Sequence, residues 1–534
     1  MANIQKLLSK GLQFWQQNDL LQARNTFKKI LKGKPNHFEA KSYCGVLDLQ
    51  LGDFEQGIHL LKSALKASPN DENLKKNINN GLIDFSNKLI KEEKYDLAEL
   101  KLKEAISLDP LNLNAHINFF KLANHTGNYK SVDEIYNQGK NISHSNYEFH
   151  YYYANTLFDQ KKYDEALGFY EYVLKENTNF VECIFHQALC YDCLNQKKEA
   201  LEKYQLALHL KPDYSLAKFN LAIFYLSIND FSTGWQNYKI RWSTQKFINK
   251  DLKSTKPILD RLPLREERIL IWAEQGIGDQ VLYLSLLNDF SKLNSNLIIS
   301  VDKRLIKICE RSFEKLNFIP QEKVIDETLY DVHLPMGDLG IYVRNSLEDF
   351  QNQKKQFLFS DKNKKLELSQ RLSKDKKLAC GLSWTSMGAH SQSKSINLNN
   401  FENIFKKYSF NYVNLEYVDN SENIKKLKEK FDFDFDSTED IDKFNDLDSL
   451  AALISSCDFI ITISNVTAHF AGALGIKTFL LVPYGEGRIW YWSDESFSKW
   501  YPSIQILKQD NPSSWDLVFG KLENELLEIE RINS

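Results

Sequence analysis

Along the first half of the chain, small residues recur at Ala23, Gly57, Ala98, Val132, Ala166, Ala200 and Gly234, 34 residues apart except for one interval of 41. Four residues after each stands a large apolar side chain: Phe27, Leu61, Leu102, Tyr136, Tyr170, Tyr204 and Tyr238. Three further on lie Ile30, Ala64, Ala105, Gly139, Val173, Ala207 and Arg241. Steps of four and three keep these positions on one face of a helix. Twelve positions earlier, Gly11, Gly45, Ala154, Ala188 and Ala222 leave room for a close helix crossing. Pro35, Pro69, Pro110 and Pro212 follow, where a helix cannot continue. The pattern predicts about seven helical hairpins that bury their apolar faces against their neighbours. The seven extra residues of the third interval predict a longer or kinked hairpin near Asp71–Asn79. The fourth repeat, with Phe120 and Gly139 where small and alanine-like residues are usual, is degenerate.

After Trp242 the period changes. Lys250–Arg268 reads as a charged linker punctuated by Pro257 and Pro263. Short apolar runs then alternate with helical patterns. Strands are expected at Arg268–Ala273, Asn296–Val301 and Asp331–Leu334, with helices at Val281–Phe290 and Lys303–Phe313. The lysine-rich segment Phe350–Lys377 reads as a helix bridging two lobes. A second series places strands at Leu378–Trp384, Phe410–Leu415, Asp458–Ser464, Lys477–Pro483 and Ile504–Leu507. Its helices fall at Asn399–Lys407, Glu422–Lys430, Ser449–Ser456, Val466–Leu474 and Trp515–Arg531. Such alternation builds parallel sheets flanked by helices, with a ligand crevice at the carboxyl ends of the strands.

Composition narrows the function. With 534 residues the chain is too long for one core. Lysine plus arginine (68) nearly balance aspartate plus glutamate (71), which argues against a nucleic-acid or membrane partner. No apolar run approaches a membrane span, and the first residues read directly into a repeat helix, so a cytoplasmic protein is expected. Seven scattered cysteines fit reduced thiols. Cys190 and Cys193 share one repeat helix without a second pair, and packing is read there rather than metal or redox chemistry. The acidic-aromatic run Phe431–Asp442 reads as a half-buried strand or loop and not a metal site.

Three stretches can carry chemistry. In Gln275-Gly-Ile-Gly-Asp279 the glycines Gly276 and Gly278 permit a tight turn after a strand, and a helix N-terminus beyond favours an anion. Asp279 either caps that helix or accepts a proton from an acceptor hydroxyl. In Ser464-Asn-Val-Thr-Ala-His469, Ser464 or Asn465 can cap a helix whose first-turn amides, around Thr467 and Ala468, are free for phosphate. His469 is either structural or leans toward the same anion. The loop Trp384–Lys394 ends in Lys394, which is either an ordinary solvated charge or a clamp on a diphosphate.

The repeats resemble tetratricopeptide repeats over residues 4–248. The whole chain resembles bacterial proteins in which such repeats precede a GT-B glycosyltransferase lobe pair akin to the family 9 heptosyltransferases. The likeness lies in Ile271–Asp279, Gly381–Trp384, Ser464–Gly475, Trp500–Pro502 and Gly234–Trp242. It implies a helical solenoid over 1–250, a Rossmann-like acceptor lobe over 251–375 and a Rossmann-like nucleotide-sugar lobe over 376–534. It further implies inverting, metal-independent hexosyl or heptosyl transfer without a cofactor. Asp279 would be the base, with Gln275, Gly276 and Gly278 beside acceptor and donor. Lys394, Ser464, Asn465, Thr467, Ala468 and His469 would meet the diphosphate, and Glu416 the ribose. The chain departs from that family at Ser464, where aspartate is usual, and at Val466, where a smaller residue is. The concave repeat surface would hold a protein acceptor or partner. Two other outcomes stand beside this: a non-catalytic adaptor with a degenerate nucleotide-sugar domain, or a transferase acting on a glycan or lipid precursor.

Overall fold

The computed structural model describes residues 2–533 except 141–145, 245–246, 248–250, 373–376, 388–390, 419, 431–434, 437, 486, 493–495 and 513. The repeat region forms helices in consecutive pairs: Ala2–Gln16 with Leu20–Gly33, Phe38–Gln50 with Phe54–Leu65, Glu72–Lys91 with Tyr95–Leu108, and Leu113–Thr126 with Val132–Gly139. Tyr147–Asp159 with Tyr163–Glu176, Val181–Cys193 with Lys197–Leu210, and Ser215–Ser227 with Phe231–Tyr238 complete them as α1–α14.

The 34-residue interval reappears in the backbone. Asn18, Gly52, Glu93, Gly127, Lys161, Asn195 and Asn229 each hold a left-handed φ between 59° and 81°, and each lies in the turn inside one pair. At six of the seven, the following residue donates its N–H to the carbonyl five positions back, as Asp19 does to Phe14 and Lys162 to Leu157, both at 2.9 Å. This satisfies carbonyls that the helix end leaves open. The recurring small residues Ala23, Ala98, Ala166 and Ala200 are fully buried. Gly45 and Gly57 permit backbone contact, since a Cβ on Gly57 would stand 2.8 Å from the Gly45 carbonyl oxygen.

The irregular repeats solve their packing differently. The extra residues of the third lengthen α5 to 20 residues in one continuous helix. Asn79, buried inside it, donates to the Ala105 carbonyl at 2.8 Å and accepts from Asn112 at 2.9 Å. In the fourth, α8 has only 8 residues. Aromatic rings fill the space: Tyr136 stacks on Tyr153 with centroids 3.8 Å apart, and Phe120 packs against Phe149 and Tyr153.

The chain divides into two compact units, Met1–Cys190 and Tyr191–Ser534, with the boundary inside α11. The second unit thus holds α12–α14 together with the α/β part. Its first sheet comprises β1 (Ile269–Trp272), β2 (Leu297–Val301), β3 (Asn317–Pro320) and β4 (Val332–Pro335) in the order β3-β2-β1-β4. The second comprises β5 (Ala379–Ser383), β6 (Asn411–Asn414), β7 (Phe435–Asp436), β8 (Phe459–Ile463), β9 (Thr478–Val482) and β10 (Ile504–Lys508) in the order β10-β9-β8-β5-β6-β7. Every pairing between these strands is parallel. Strands such as β1, β5, β8 and β9 are buried throughout, which is why they read as unbroken apolar runs. The intervening helices are α15 (Ile277–Leu284), α16 (Leu287–Phe290), α17 (Ile306–Ser312), α18 (Gly340–Val343), α19 (Lys362–Leu372), α20 (Ser391–Lys394) and α21 (Glu402–Lys407). They continue with α22 (Ser421–Lys430), α23 (Leu447–Ser455), α24 (Val466–Ala473) and α25 (Asp516–Asn533).

Four expectations need correction. The single helix over Val281–Phe290 starts earlier, at Ile277, and breaks after Leu284, where the Ser285 hydroxyl bonds the Leu282 carbonyl at 2.6 Å. Among the described residues of Phe350–Lys377 the bridging helix forms only at α19. Before it, the amides of Phe357 and Leu358 both donate to the Ala473 carbonyl at 3.0 Å, so they are not available to a helix of their own. The segment read as a linker is pinned to the first sheet by Leu259 N–H to the His333 carbonyl, 2.8 Å, and to the loop after β3 by Lys253 N–H to the Lys323 carbonyl, 2.9 Å. Strand β3 was not expected at all, being half-exposed and closed by a proline. Of the Phe431–Asp442 run, residues 431–434 and 437 lie outside the described set, and Phe435–Asp436 pairs with β6 as a two-residue strand.

The last hairpin is built into the α/β core. Trp235 of α14 is fully buried and donates its indole N–H to the Arg344 carbonyl at 2.8 Å. A Cβ on Gly340 would stand 2.2 Å from that indole, so only glycine fits there without a shift. Phe231, Trp235 and Tyr238 belong to one apolar cluster with β1, β2, α15 and the helices beside the second sheet.

Candidate functional site

In each sheet the strand order reverses once, between β1 and β4 and between β5 and β8. Ligands of open α/β sheets bind beyond the strand ends at such points, and the candidate residues lie there. After β1 the chain turns through Glu274–Gly276 into α15. Gly276, extended at φ −68° and ψ 169°, takes the cap position, so Asp279 lies in the first turn rather than at the cap. Its carboxylate folds back to 3.8 Å from where a Gly276 Cβ would be.

The turn is fixed from below by charge. Arg241, fully buried in the 3-10 turn Lys239–Ser243 after α14, reaches Asp338 at 2.6 Å and Glu274 at 3.2 Å. Burial works against its charge, yet Asp338 and Glu274 more than offset this and hold its pKa above the usual value. The rings of Tyr238 and Trp242 lie 4.8 and 4.7 Å from its guanidinium carbon. Glu274 also accepts from the Gly337 amide at 3.1 Å, and Gln275 donates to the Tyr238 hydroxyl at 3.1 Å. Beside this turn a cleft of about 590 Å³ is lined by Trp272, Glu274, Gln275, Gly276, Gln321 and Lys323, among others.

The head of α24 follows β8. Asn465 caps the helix by accepting from the Ala468 amide at 3.2 Å, and its amide group donates to Ser383 at 2.8 Å and to the Thr385 carbonyl at 3.0 Å. Ser464 accepts from the Trp492 indole at 2.9 Å. Thr467 is fully buried, and its hydroxyl has no partner among the described residues. Glu416, at the end of β6, accepts from Ser383, from the amides of Trp384 and Thr385, from the Thr385 hydroxyl and from Asn420. Burial raises its carboxyl above the ordinary range against the pull of these bonds.

The two helix heads meet. A Cβ on Gly278 would stand 2.7 Å from the His469 ring, so the glycine is what lets α15 approach α24. Burial, helped by the nearby charge of Lys394, pushes His469 down to about 3. It is therefore a neutral imidazole. Tyr491 contacts both heads, donating to Asp279 at 3.4 Å and lying 3.3 Å from His469 Nε2. Tyr501 lies 2.9 Å from His469 Nδ1.

Gln275, Gly276, Gly278, Asp279, Lys394, Ser464, Asn465, Thr467, Ala468 and His469 are thus brought to one region, and Glu416 joins them through Ser383 and Thr385. Residues 388–390 of the Trp384–Lys394 loop lie outside the described set. Sequence reasoning missed the parts played by Arg241, Tyr238, Tyr491, Trp492 and Tyr501. The only local signal was the density of aromatics at Trp490–Trp492 and Trp500–Tyr501. Among the described residues no group of three His, Cys, Asp or Glu side chains can hold a metal ion, and Cys190 is buried in packing.

The chain carries tetratricopeptide repeats, and the model of that repeat family matches residues 14–76. It is similar to the protein FlbA of Caulobacter vibrioides, 24% identical over 383 residues, which cover 68% of this chain and 64% of FlbA. The chain therefore spans less than two thirds of that relative. A shorter likeness, 30% identical over 115 residues, is to the mitochondrial import receptor subunit TOM70 of Saccharomyces cerevisiae, covering 19% of this chain and 18% of TOM70. Among solved structures, the C-terminal part of a tetratricopeptide repeat-containing protein from Cytophaga hutchinsonii is 14% identical. It covers 46% of this chain and 97% of its own, with a TM-score of 0.35. No helix among the described residues is long and apolar enough to cross a membrane.

Proposed function

We propose that the α/β part is a glycosyltransferase of the two-lobed GT-B kind, moving a sugar from a nucleotide-sugar donor to an acceptor hydroxyl. The repeats hold a protein acceptor or partner, as stacked helical hairpins commonly do. The observation that carries this reading is the convergence of Asp279, Lys394 and His469, contributed by three separate strand–helix connections, where α15 meets α24. Asp279 takes the proton of the acceptor hydroxyl, whose oxygen attacks the anomeric carbon. The bond from that carbon to the diphosphate oxygen breaks, and the electron pair leaves with the nucleoside diphosphate. Attack opposite the leaving group inverts the centre. Lys394, the first-turn amides of α24 other than that of Ala468, which bonds Asn465, and the Thr467 hydroxyl would meet the negative charge that develops.

The test has two arms on the full chain. A thermal-shift panel of UDP-, GDP-, ADP- and CMP-sugars should give one clear stabilisation by mass action, naming the donor class. Asp279→Asn should keep that shift and lose transfer by a factor of about 10³, an amount within the range of a well-placed base. Unchanged turnover in that variant would overturn the assignment.

One observation favours a second reading, a non-catalytic adaptor. Ser464, Asn465 and Glu416 already have protein partners, and His469 is buried and neutral. Absence of a shift with every nucleotide sugar, combined with a protein captured by cross-linking on the full chain, would establish that reading instead.

A further inference from the structure

Tyr501, His469, Tyr491 and Asp279 stand in an unbroken line of polar contacts of 2.9, 3.3 and 3.4 Å. Counting hydrogens along it assigns every donor. A carboxylate accepts only, so the single hydroxyl hydrogen of Tyr491 is committed to Asp279. The Tyr491 oxygen must then accept from His469. A neutral imidazole carries one N–H and one bare nitrogen, so its N–H sits on Nε2. Nδ1 is left to accept from the Tyr501 hydroxyl. The tautomer follows from the network and is open to direct measurement.

We propose that Tyr491 and His469 are positioning residues for Asp279, forming the directed chain Tyr501 to His469 to Tyr491 to Asp279. The inference rests on the reading of Asp279 as the base. It gives His469 a task different from touching the donor's diphosphate, because both ring nitrogens are engaged by tyrosines.

Packing holds the line in place. His469 is 3% exposed and Tyr491 5% exposed, so water does not compete for either. Gly278 admits the His469 ring, and the Trp492 indole anchors the neighbouring aromatic run to Ser464. Other titratable groups surround the carboxylate. Tyr238 of α14, Tyr283 of α15, Tyr491 and Tyr501 are all buried and all feel the Asp279 charge, Glu274 precedes the turn, and Lys394 of α20 acts on His469. The hydrogen bond that Tyr491 donates to Asp279 Oδ1 favours the ionised form of the base and engages one of its two oxygens.

The experiment is nitrogen NMR on histidine-labelled full chain at neutral pH, with His469→Gln identifying the resonance, and carbon NMR titration of the Asp279 carboxyl. The expected result is a neutral Nε2–H ring whose Nδ1 shift moves in Tyr501→Phe. Tyr491→Phe should move the Asp279 titration to higher pH and lower transfer about tenfold, with donor affinity unchanged. A protonated ring, an Nδ1–H tautomer, or an Asp279 titration indifferent to Tyr491→Phe would overturn the chain. Lack of transfer by the native protein would defeat the transferase reading alone, since the NMR measurements decide the chain without turnover.

Discussion

In the unit Met1–Cys190 the residues that decide the structure stand 34 or 41 positions apart. In Tyr191–Ser534 the decisive partners stand 75, 97, 191 or 212 apart, as Lys394 and His469, Arg241 and Asp338, Gly278 and His469, and Asp279 and Tyr491 show. The first kind of order is local and repeated, so any one hairpin can tolerate a poor turn. The second is made once, by pairs that stand far apart in the chain, and each pair is a single point of failure. The comparison breaks most sharply at Arg241. It lies at the end of the last repeat yet is held by Asp338 and Glu274 in complete burial. Arg241→Met should destabilise the second unit by about 3–5 kcal/mol, because two carboxylates lose their buried counter-charge. Urea unfolding followed by the tryptophans checks this; eight of the nine lie in that unit. A change below about 1 kcal/mol, the usual worth of an exposed pair, would mean that the ion cluster is not what joins the last hairpin to β1.

The same contrast explains what sequence reading reached. The period located the hairpins because one small residue, one large residue and one turn recur in each. The buried strands β1, β5, β8 and β9 were visible because burial on both faces demands an apolar run. Strand β3, half-exposed and ending in Pro320, and the two-residue β7 have no such signature. At the site, Gly276, Gly278 and the start of α24 were legible as a tight turn and a helix head. Tyr491 and Tyr501 were not. Nothing within ten residues of Tyr491 predicts a hydrogen bond to Asp279, 212 positions away. Polar groups that meet by topology leave no local spacing to read.

Acid sharpens the comparison at intermediate size. His469 is held at about 3 in the folded chain by burial and by Lys394, against about 6.5 when unfolded. Above pH 6.5 the ring is neutral in both states and its share of stability is fully present. As pH falls below 6.5 the unfolded chain binds a proton that the native chain refuses, and stability drops by about 1.4 kcal/mol per pH unit until the folded value is reached. His469→Gln should remove one proton's worth of that slope. His116, His186 and His333, also lowered by burial, remain in both proteins and cancel in the difference. Parallel stability curves between pH 6 and 4 for native and variant would show that His469 is not kept neutral by the fold.

The smallest effect belongs to the repeats. Lys161 occupies the left-handed turn position at φ 64°, where another repeat has Gly52 at φ 81°. For a residue with a Cβ this conformation costs about 1–2 kcal/mol, and glycine escapes it. Glycine also gains freedom in the unfolded chain, worth about 0.4–1 kcal/mol in the opposite direction. The difference leaves Lys161→Gly about 0.5–1 kcal/mol more stable than the native chain. Gly52→Ala should lose a similar amount, since nothing lies within 4 Å of the added methyl and only the backbone objects. Thermal unfolding of the two variants therefore reads the turn alone. If both destabilise equally, the side chain of Lys161 contributes a contact that outweighs its strain, and the turn position is not interchangeable between repeats. If they move in opposite directions, the hairpins of the first unit share one backbone rule that the sequence obeys only where glycine or asparagine was available.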